Sequence, residues 1–330
     1  MLDTKLFGIE LKKLGFEFYS GVPCSFLKDL INYAINEFGY VAAVNEGDAV
    51  AAAAGAFLGG KKSVVIMQNS GLTNALSPLV SLNFPFKIPV LGFVSLRGEE
   101  GANDEPQHEL IGRITTDILK ITRIGFELLS PNFETAKMQL IKANQYIERN
   151  DSFFFIVKEN TFSKETLNQK QLVEDKRTYK KPKTKNDQLP TRYEALKVIN
   201  SLKDNKTVQL ATTGKCGREL YEIEDESNNL YMVGSMGCVS SLGLGLALTR
   251  ADKDIVIIDG DGALLMRMGN LAVNGYYGPP NMLHILLDNN SYDSTGGQST
   301  VSNIVNFVET AASCAYINSI YVHDLEECNC

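Results

Sequence analysis

Short apolar runs recur along the chain, each giving way to small polar residues and then to a stretch with helical spacing. Leu2–Leu14 and Phe26–Phe38 predict amphipathic helices, with strands expected over Phe16–Tyr19 and Tyr40–Val44. Asn45–Asp48 turns into an alanine-rich helix over Ala49–Leu58. Ser63–Met67 predicts a strand, Thr73–Leu82 a helix and Ile88–Ser95 another strand. A polar loop, Arg97–Gln107, leads into a helix, the strand Phe126–Leu129, a further helix and the strand Phe153–Val157. From Thr191 the alternation resumes, with strands predicted over Thr207–Ala211, Leu230–Val233, Asp254–Ile258, Met282–Leu287 and Tyr316–Tyr321. β-Branched and leucine-rich strands alternating with helices predict parallel sheets buried on both faces. We therefore expect an α/β protein of two doubly wound parallel-sheet domains, 1–165 and 191–330. A linker over 166–190 joins them, its Lys180–Lys185 run lacking any apolar period.

Composition narrows the classes of function. Over 330 residues, 32 Lys and Arg against 39 Asp and Glu leave a net charge of −7, so no global field draws nucleic acid or an anionic membrane. Any anionic substrate must be held by local donors. Six cysteines, at 24, 216, 238, 314, 328 and 330, lack paired C-x-x-C spacing. A zinc site or disulfide framework is not expected, and reduced thiols fit a cytoplasmic protein. Met1–Gly15 lacks a signal-peptide core, and the longest apolar stretch, Ala49–Gly60, is too short to span a bilayer. Gly55–Lys62 imitates a phosphate loop but runs from helix into strand. Gly243-Leu-Gly245 lacks the third glycine of a dinucleotide fingerprint.

Candidate chemistry gathers where the apolar runs break. Ile255–Ile258 gives way to Asp259-Gly-Asp-Gly262, and Leu286-Leu gives way to Asp288-Asn-Asn-Ser-Tyr-Asp-Ser-Thr-Gly-Gly-Gln298. Open parallel sheets bind ligands at the carboxyl ends of their strands, so Asp261 and Asn289 would offer neighbouring hard oxygens to Mg2+. Gly260 and Gly262 would let the backbone approach a phosphate. Gly260-Asp261-Gly262 followed by the Asn-containing turn resembles the diphosphate–Mg2+ motif of thiamine diphosphate enzymes. Asp288 and the Ser294-Thr-Gly-Gly-Gln298 tail resemble the phosphonopyruvate/sulfopyruvate decarboxylase branch of that family. Two registers are open: Asn289-Asn290 as the family's pair, or Asp288-Asn289, which aligns Tyr292 with the family tyrosine. The second makes Asn289 the side-chain ligand and the Ser291 carbonyl the backbone ligand.

The resemblance implies a first domain that binds the aminopyrimidine (PYR) and a second that binds the diphosphate and Mg2+ (PP), holding thiamine diphosphate. It implies Glu46 as the carboxyl against N1′ of the aminopyrimidine, Gly234 as a carbonyl acceptor and Met236 as an apolar wedge under the ring. Asp261, Asn289 and Ser291 become the metal ligands, with Gly260, Gly262, Thr213 and Gly214 lining the diphosphate. The implied substrate is a small 2-oxo acid with an anionic tail. For it, Asn69 and Ser70 stand at a helix start, Arg97 could form a bidentate clamp, and Gln107, Ser294 and Thr295 add polar contacts. His108 is the candidate proton donor, whereas His284, inside an apolar strand, reads as structural. The implied reaction is non-oxidative decarboxylation of 3-phosphonopyruvate to phosphonoacetaldehyde and CO2, within 2-aminoethylphosphonate biosynthesis, by a homodimer or larger homo-oligomer. Sulfopyruvate is the alternative substrate. After Tyr321, His323–Glu327 starts a helix that Cys328-Asn-Cys330 stops, where family domains add that helix and a further strand. The second domain is thus expected to be truncated, with a sheet edge unpaired, and a cofactor-binding remnant without turnover is the other alternative.

Overall fold

The structure, a computed structural model, describes residues 1–101, 104–168, 189–295 and 298–325, with the side chains at 295, 298 and 299 outside that description. The chain divides into two compact units, Met1–Gln171 and Leu172–Cys330.

The first unit is built on six strands: β1 (Phe16–Gly21), β2 (Tyr40–Ala42), β3 (Lys62–Gln68), β4 (Leu91–Ser95), β5 (Gly125–Leu128) and β6 (Phe153–Val157). They pair in the order β2-β1-β3-β4-β6-β5, every pair parallel. Central strands β4 and β6 are buried at every position, as the unbroken runs Leu-Gly-Phe-Val-Ser and Phe-Phe-Phe-Ile-Val require of a sheet covered on both faces. Their aromatic rings continue into the helical layer: Phe93 lies 5.3 Å from Phe155 and meets Phe7 of the first helix edge-on at 6.0 Å. Thr161–Asn168 returns to this unit. Phe162 bridges to Leu2, Ser163 Oγ accepts from Thr4 N–H, and Asn36 donates to the Thr166 carbonyl. The remainder of the expected linker, 169–188, lies outside the described residues.

The second unit has β7 (Thr207–Ala211), β8 (Asn229–Tyr231), β9 (Asp254–Gly260) and β10 (Met282–Leu287), in the order β10-β9-β7-β8 and again wholly parallel. In each sheet the chain moves to one side after its first strand and to the other side afterwards. That puts a switch point between β1 and β3, and another between β7 and β9.

The structure corrects three sequence expectations. The alanine-rich helix begins at Glu46, because Asn45 caps it: its Oδ1 accepts the Gly47 N–H at 2.8 Å, and Glu46 and Asp48 favour the positive helix end. The helix expected from Thr73 begins at Asn69, and its continuation over Leu79–Asn83 widens to π geometry just after Pro78, which has no N–H to give. Tyr316–Tyr321 forms no strand: Tyr316 turns inward to His284 and Asn274, while Ile317 and Ile320 stay exposed. Among the described residues β10 is therefore the outer strand of its sheet. The end of the helix expected at His323–Glu327, with the final cysteines, falls at 326–330, outside the described residues.

Removing the Asn45 cap with Asn45→Ala should cost about 1 kcal/mol. Thermal denaturation should show a melting temperature lower by about 2–4 °C.

Candidate active site

In the first unit the chemistry stands where β2 and β3 end. Glu46, the first residue of its helix, is only 9 % exposed. Asn74 Nδ2 donates to its Oε2 at 2.9 Å, while Oε1 has no partner among the described residues. Gly71 lies beneath the same carboxyl, and a Cβ on it would stand 2.1 Å from Oε1. Gly71 and Asn74 are three apart on the helix Asn69–Pro78, so one helix face cradles the carboxyl and fixes one of its oxygens. Sequence reasoning placed Glu46 but gave no role to Asn74 or Gly71. Only their one-turn spacing in a helix following a strand hinted at them.

The residues expected to meet the substrate separate. Asn69 is fully buried and faces inward, its Nδ2 donating to the Arg97 carbonyl and to Thr115. That correction follows from its being the first residue of the helix rather than a loop residue before it. Ser70 is exposed and accepts from Gln68. The bidentate clamp expected of Arg97 is made to Asp104 instead, with Nε 2.8 Å from Oδ2 and Nη2 2.5 Å from Oδ1. The backbone N–H groups of Gly98 and Glu105 also donate to Asp104. The Arg97 guanidinium, followed by these backbone donors, holds the Asp104 carboxyl well below the usual range against the opposing effect of its desolvation. Phe26 lies against the guanidinium at 4.8 Å, and Nη1 reaches towards Ser25 Oγ at 3.5 Å. Gln107 is exposed and donates to Glu105. His108 is buried, with Nε2 3.4 Å from Glu105 Oε2 and Nδ1 without a partner among the described residues.

In the second unit, Asp261 follows β9 and is 3 % exposed. Thr300 Oγ1 donates to its Oδ2 at 2.6 Å and lies 2.8 Å from Ser302 Oγ. Ser302 Oγ lies 2.9 Å from both Asp288 Oδ1 and Asn290 Oδ1. Two hydroxyls and the Asn290 N–H, which donates to Asp288 Oδ1 at 3.0 Å, thus serve two carboxylates and an amide oxygen, a cluster dominated by oxygen acceptors. A hard cation with oxygen ligands suits such a cluster. The hydrogen bonds bring Asp288 and Asn290 to this cluster, while Asn289 turns Oδ1 back to the Ser291 N–H. Thr300 and Ser302 were missed because they lie beyond the recognisable motif.

The diphosphate side fits as well. Thr212 Oγ1, at the end of β7, is buried without a partner among the described residues, an open hydroxyl at the switch point. Gly260 lies next to Thr212 and Cys216, and burial pushes the Cys216 thiol up to about 12, so it adds no negative charge. Thr213 and Gly214 follow, half-buried, and Gly214 has φ 103°. A Cβ on Gly214 would stand 2.8 Å from Ser294 Oγ, so the Asp293–Ser294 turn sits close against this loop. Asp293, held below the usual range chiefly by Arg192, anchors that turn and also reaches Lys215 at 3.4 Å. A Cβ on Gly262 would meet the Tyr292 ring at 2.3 Å, which pins Gly260–Gly262 to the Ser291–Tyr292 segment. Gly234 and Met236 are half-buried in a turn where Ser235 and Gly237 both have positive φ. The Thr295 side chain and Gly296-Gly297 lie outside the described residues.

Residues 6–117 match the N-terminal TPP binding domain of thiamine pyrophosphate enzymes, and 212–323 match their C-terminal TPP binding domain. With the two parallel sheets and their carboxyl-edge residues, this defines a thiamine diphosphate enzyme (the same cofactor by another name). Phosphonopyruvate decarboxylase of Streptomyces viridochromogenes is 38 % identical over 312 residues, 93 % of this chain and 78 % of that protein. Sulfopyruvate decarboxylase of Methanosarcina acetivorans is 30 % identical over 330 residues, 96 % of this chain and 83 % of that protein. The crystal structure of benzoylformate decarboxylase from Polynucleobacter necessarius shares the fold, with a TM-score of 0.77 at 13 % identity over 100 % of this chain and 95 % of that one. The chain belongs to the phosphonopyruvate/sulfopyruvate decarboxylase family of thiamine diphosphate enzymes, and it is a carboxy-lyase.

Asn74→Ala strips a buried carboxyl oxygen of its hydrogen-bond donor, a loss of about 1–3 kcal/mol. If Glu46 works in catalysis, kcat/KM should fall about 10- to 100-fold. Gly71→Ala, whose methyl would overlap the carboxyl, should lower it at least as far. Steady-state rates beside melting temperatures distinguish a displaced carboxyl from a general loss of structure.

Proposed function

We propose that the chain decarboxylates 3-phosphonopyruvate to phosphonoacetaldehyde and CO2, using thiamine diphosphate and Mg2+. The observation that carries this reading is Glu46, a buried carboxyl with one oxygen on Asn74 and the other without a partner among the described residues. The 38 % identity to a phosphonopyruvate decarboxylase supports the substrate. Thiamine diphosphate, when bound, supplies the electron sink that lets a 2-oxo acid lose its carboxylate. Glu46 is the residue proposed to hold the aminopyrimidine, with Gly234 and Met236 orienting the ring. Thr212, Thr213, Gly214, Gly260 and Gly262 are proposed to hold the diphosphate. Asp261, with Asn289 and the Ser291 carbonyl, holds the metal in this reading, and the cluster of Asp288, Asn290, Thr300 and Ser302 supports that pole.

In the reaction the C1–C2 bond breaks, CO2 departs and a proton takes its place at C2. His108, buried with Nδ1 unpartnered among the described residues, is the proposed source of that proton. Because Arg97 is engaged by Asp104, its remaining Nη1 and the hydroxyls of Ser25 and Ser70 are the groups proposed to meet the anionic tail. A homodimer or larger closed assembly belongs to the same reading. So does a place in 2-aminoethylphosphonate biosynthesis. The cytoplasm, where thiols stay reduced, is the proposed location, and no described helix is long and apolar enough to cross a membrane.

Aldehyde formation from phosphonopyruvate, sulfopyruvate and pyruvate, measured side by side with thiamine diphosphate and Mg2+, tests the assignment. Phosphonopyruvate should give the highest kcat/KM, and Glu46→Gln should lower kcat by about 100-fold or more. A higher kcat/KM for sulfopyruvate would overturn the substrate. Full activity in Glu46→Gln would overturn the role of the carboxyl.

A further inference from the structure

Beneath the Gly260–Gly262 turn runs a line of buried polar groups that the proposed chemistry does not use. Asp259, the residue before the turn, is fully buried. Its Oδ1 accepts the Gly260 N–H at 2.9 Å, and its Oδ2 lies 3.4 Å from His284 Nε2 on β10. His284 Nδ1 lies 3.0 Å from Tyr316 Oη. Asn274 Nδ2 donates to that phenol at 3.2 Å, and Asn270 Nδ2 donates to Asn274 Oδ1 at 3.2 Å and to Ser240 Oγ at 3.0 Å.

The carboxylate at one end orders the groups that follow it. A carboxylate only accepts, so His284 Nε2 carries the hydrogen towards Asp259. With that hydrogen on Nε2, Nδ1 faces the Tyr316 hydroxyl, which is placed to donate to it. The Tyr316 oxygen takes the Asn274 N–H, and the Asn274 oxygen takes the Asn270 N–H. Burial, with Asp259 adding to it, pushes the Tyr316 phenol up and keeps its proton in place. Every group in the line has a partner, and removing one member leaves a buried neighbour unsatisfied. The line starts in the helices Val239–Thr249 and Asn270–Tyr277 and ends on the peptide that opens the metal-binding turn.

We propose that His284 and Tyr316, acting through Asp259, are positioning residues that preset the Gly260–Gly262 turn, and with it Asp261, for the cation and the diphosphate. The proposal rests on the reading of Asp261 as a metal ligand. An apolar residue at 284 would suit the strand Met-Leu-His-Ile-Leu-Leu better, so the histidine has its reason in Asp259. Partners that orient metal-binding residues from behind typically change metal affinity 10- to 100-fold when removed.

Mg2+-dependent thiamine diphosphate binding to the full-length apoprotein, followed by equilibrium dialysis, tests this. Tyr316→Phe deletes one hydroxyl at nearly constant shape, and His284→Leu deletes both ring nitrogens. Each should raise the Mg2+ concentration for half-maximal cofactor binding by about 10-fold or more, with excess Mg2+ restoring binding. His284→Gln, which keeps a donor towards Asp259, should recover part of the loss. An unchanged Mg2+ dependence in folded Tyr316→Phe, even with a lower melting temperature, would overturn the proposal and leave the line a purely structural one. Tyr316→Phe decides the matter if His284→Leu does not fold. Asp261→Asn serves as the reference: wild-type Mg2+ dependence in that variant would overturn the metal reading itself, separately from the positioning role.

Discussion

Every strand of the two main sheets runs parallel to its neighbours, and this single constraint organises the protein. Within each sheet the strands therefore enter their following loops at one edge. Along the strands, backbone donors and acceptors are consumed by the ladders and apolar side chains fill both faces. At the carboxyl edge the ladders stop, the residues become small and polar, and helix N-termini begin. Glu46 and Asn69–Asn74 occupy that edge in the first unit, and Thr212–Gly214, Asp261 and Asp288–Ser291 occupy it in the second.

Four acidic residues near these edges show how neighbours set what a carboxylate can do. Asp104 is enclosed by a guanidinium fork and backbone N–H groups, so it is a charged structural anchor. Asp259 is fully buried and answered by one backbone donor and one histidine. Among the described residues Glu46 has only Asn74 on one oxygen and a glycine below, leaving it incompletely satisfied. Asp261 shares hydroxyls with other oxygen acceptors. The two that are fully answered suit structural work. The two that are not are those with capacity to hold a ligand, since a buried polar group lacking partners carries a desolvation cost that a ligand can relieve.

Local chemistry made much of this visible in the amino-acid order. The β-branched and aromatic runs announced β3, β4, β6 and β9, because strands buried on both faces need continuous apolar side chains. Gly260-Asp261-Gly262 and Glu46 stood out because turns and helix starts have local residue requirements. Failures came where partners outside the local pattern decide. Tyr316–Tyr321 has strand-like composition, yet Tyr316 is drawn inward by His284 and Asn274 from other segments. Arg97 has the right side chain for a bidentate anion clamp, but Asp104 on the same loop already fills that edge.

By itself the sequence determined the alternation of strands and helices, the division into two α/β units and the position of the Gly260–Gly262 turn. Each of these follows from periodicity and short-range backbone chemistry. Only tertiary structure decided that Asn74 and Gly71 would cradle Glu46, that Thr300 and Ser302 would join Asp261 to Asp288 and Asn290, and that a histidine in an apolar strand would face Asp259. Those outcomes depend on which strand ends become neighbours when each sheet assembles, and on a hydrogen bond's need for partners within about 3 Å of one another.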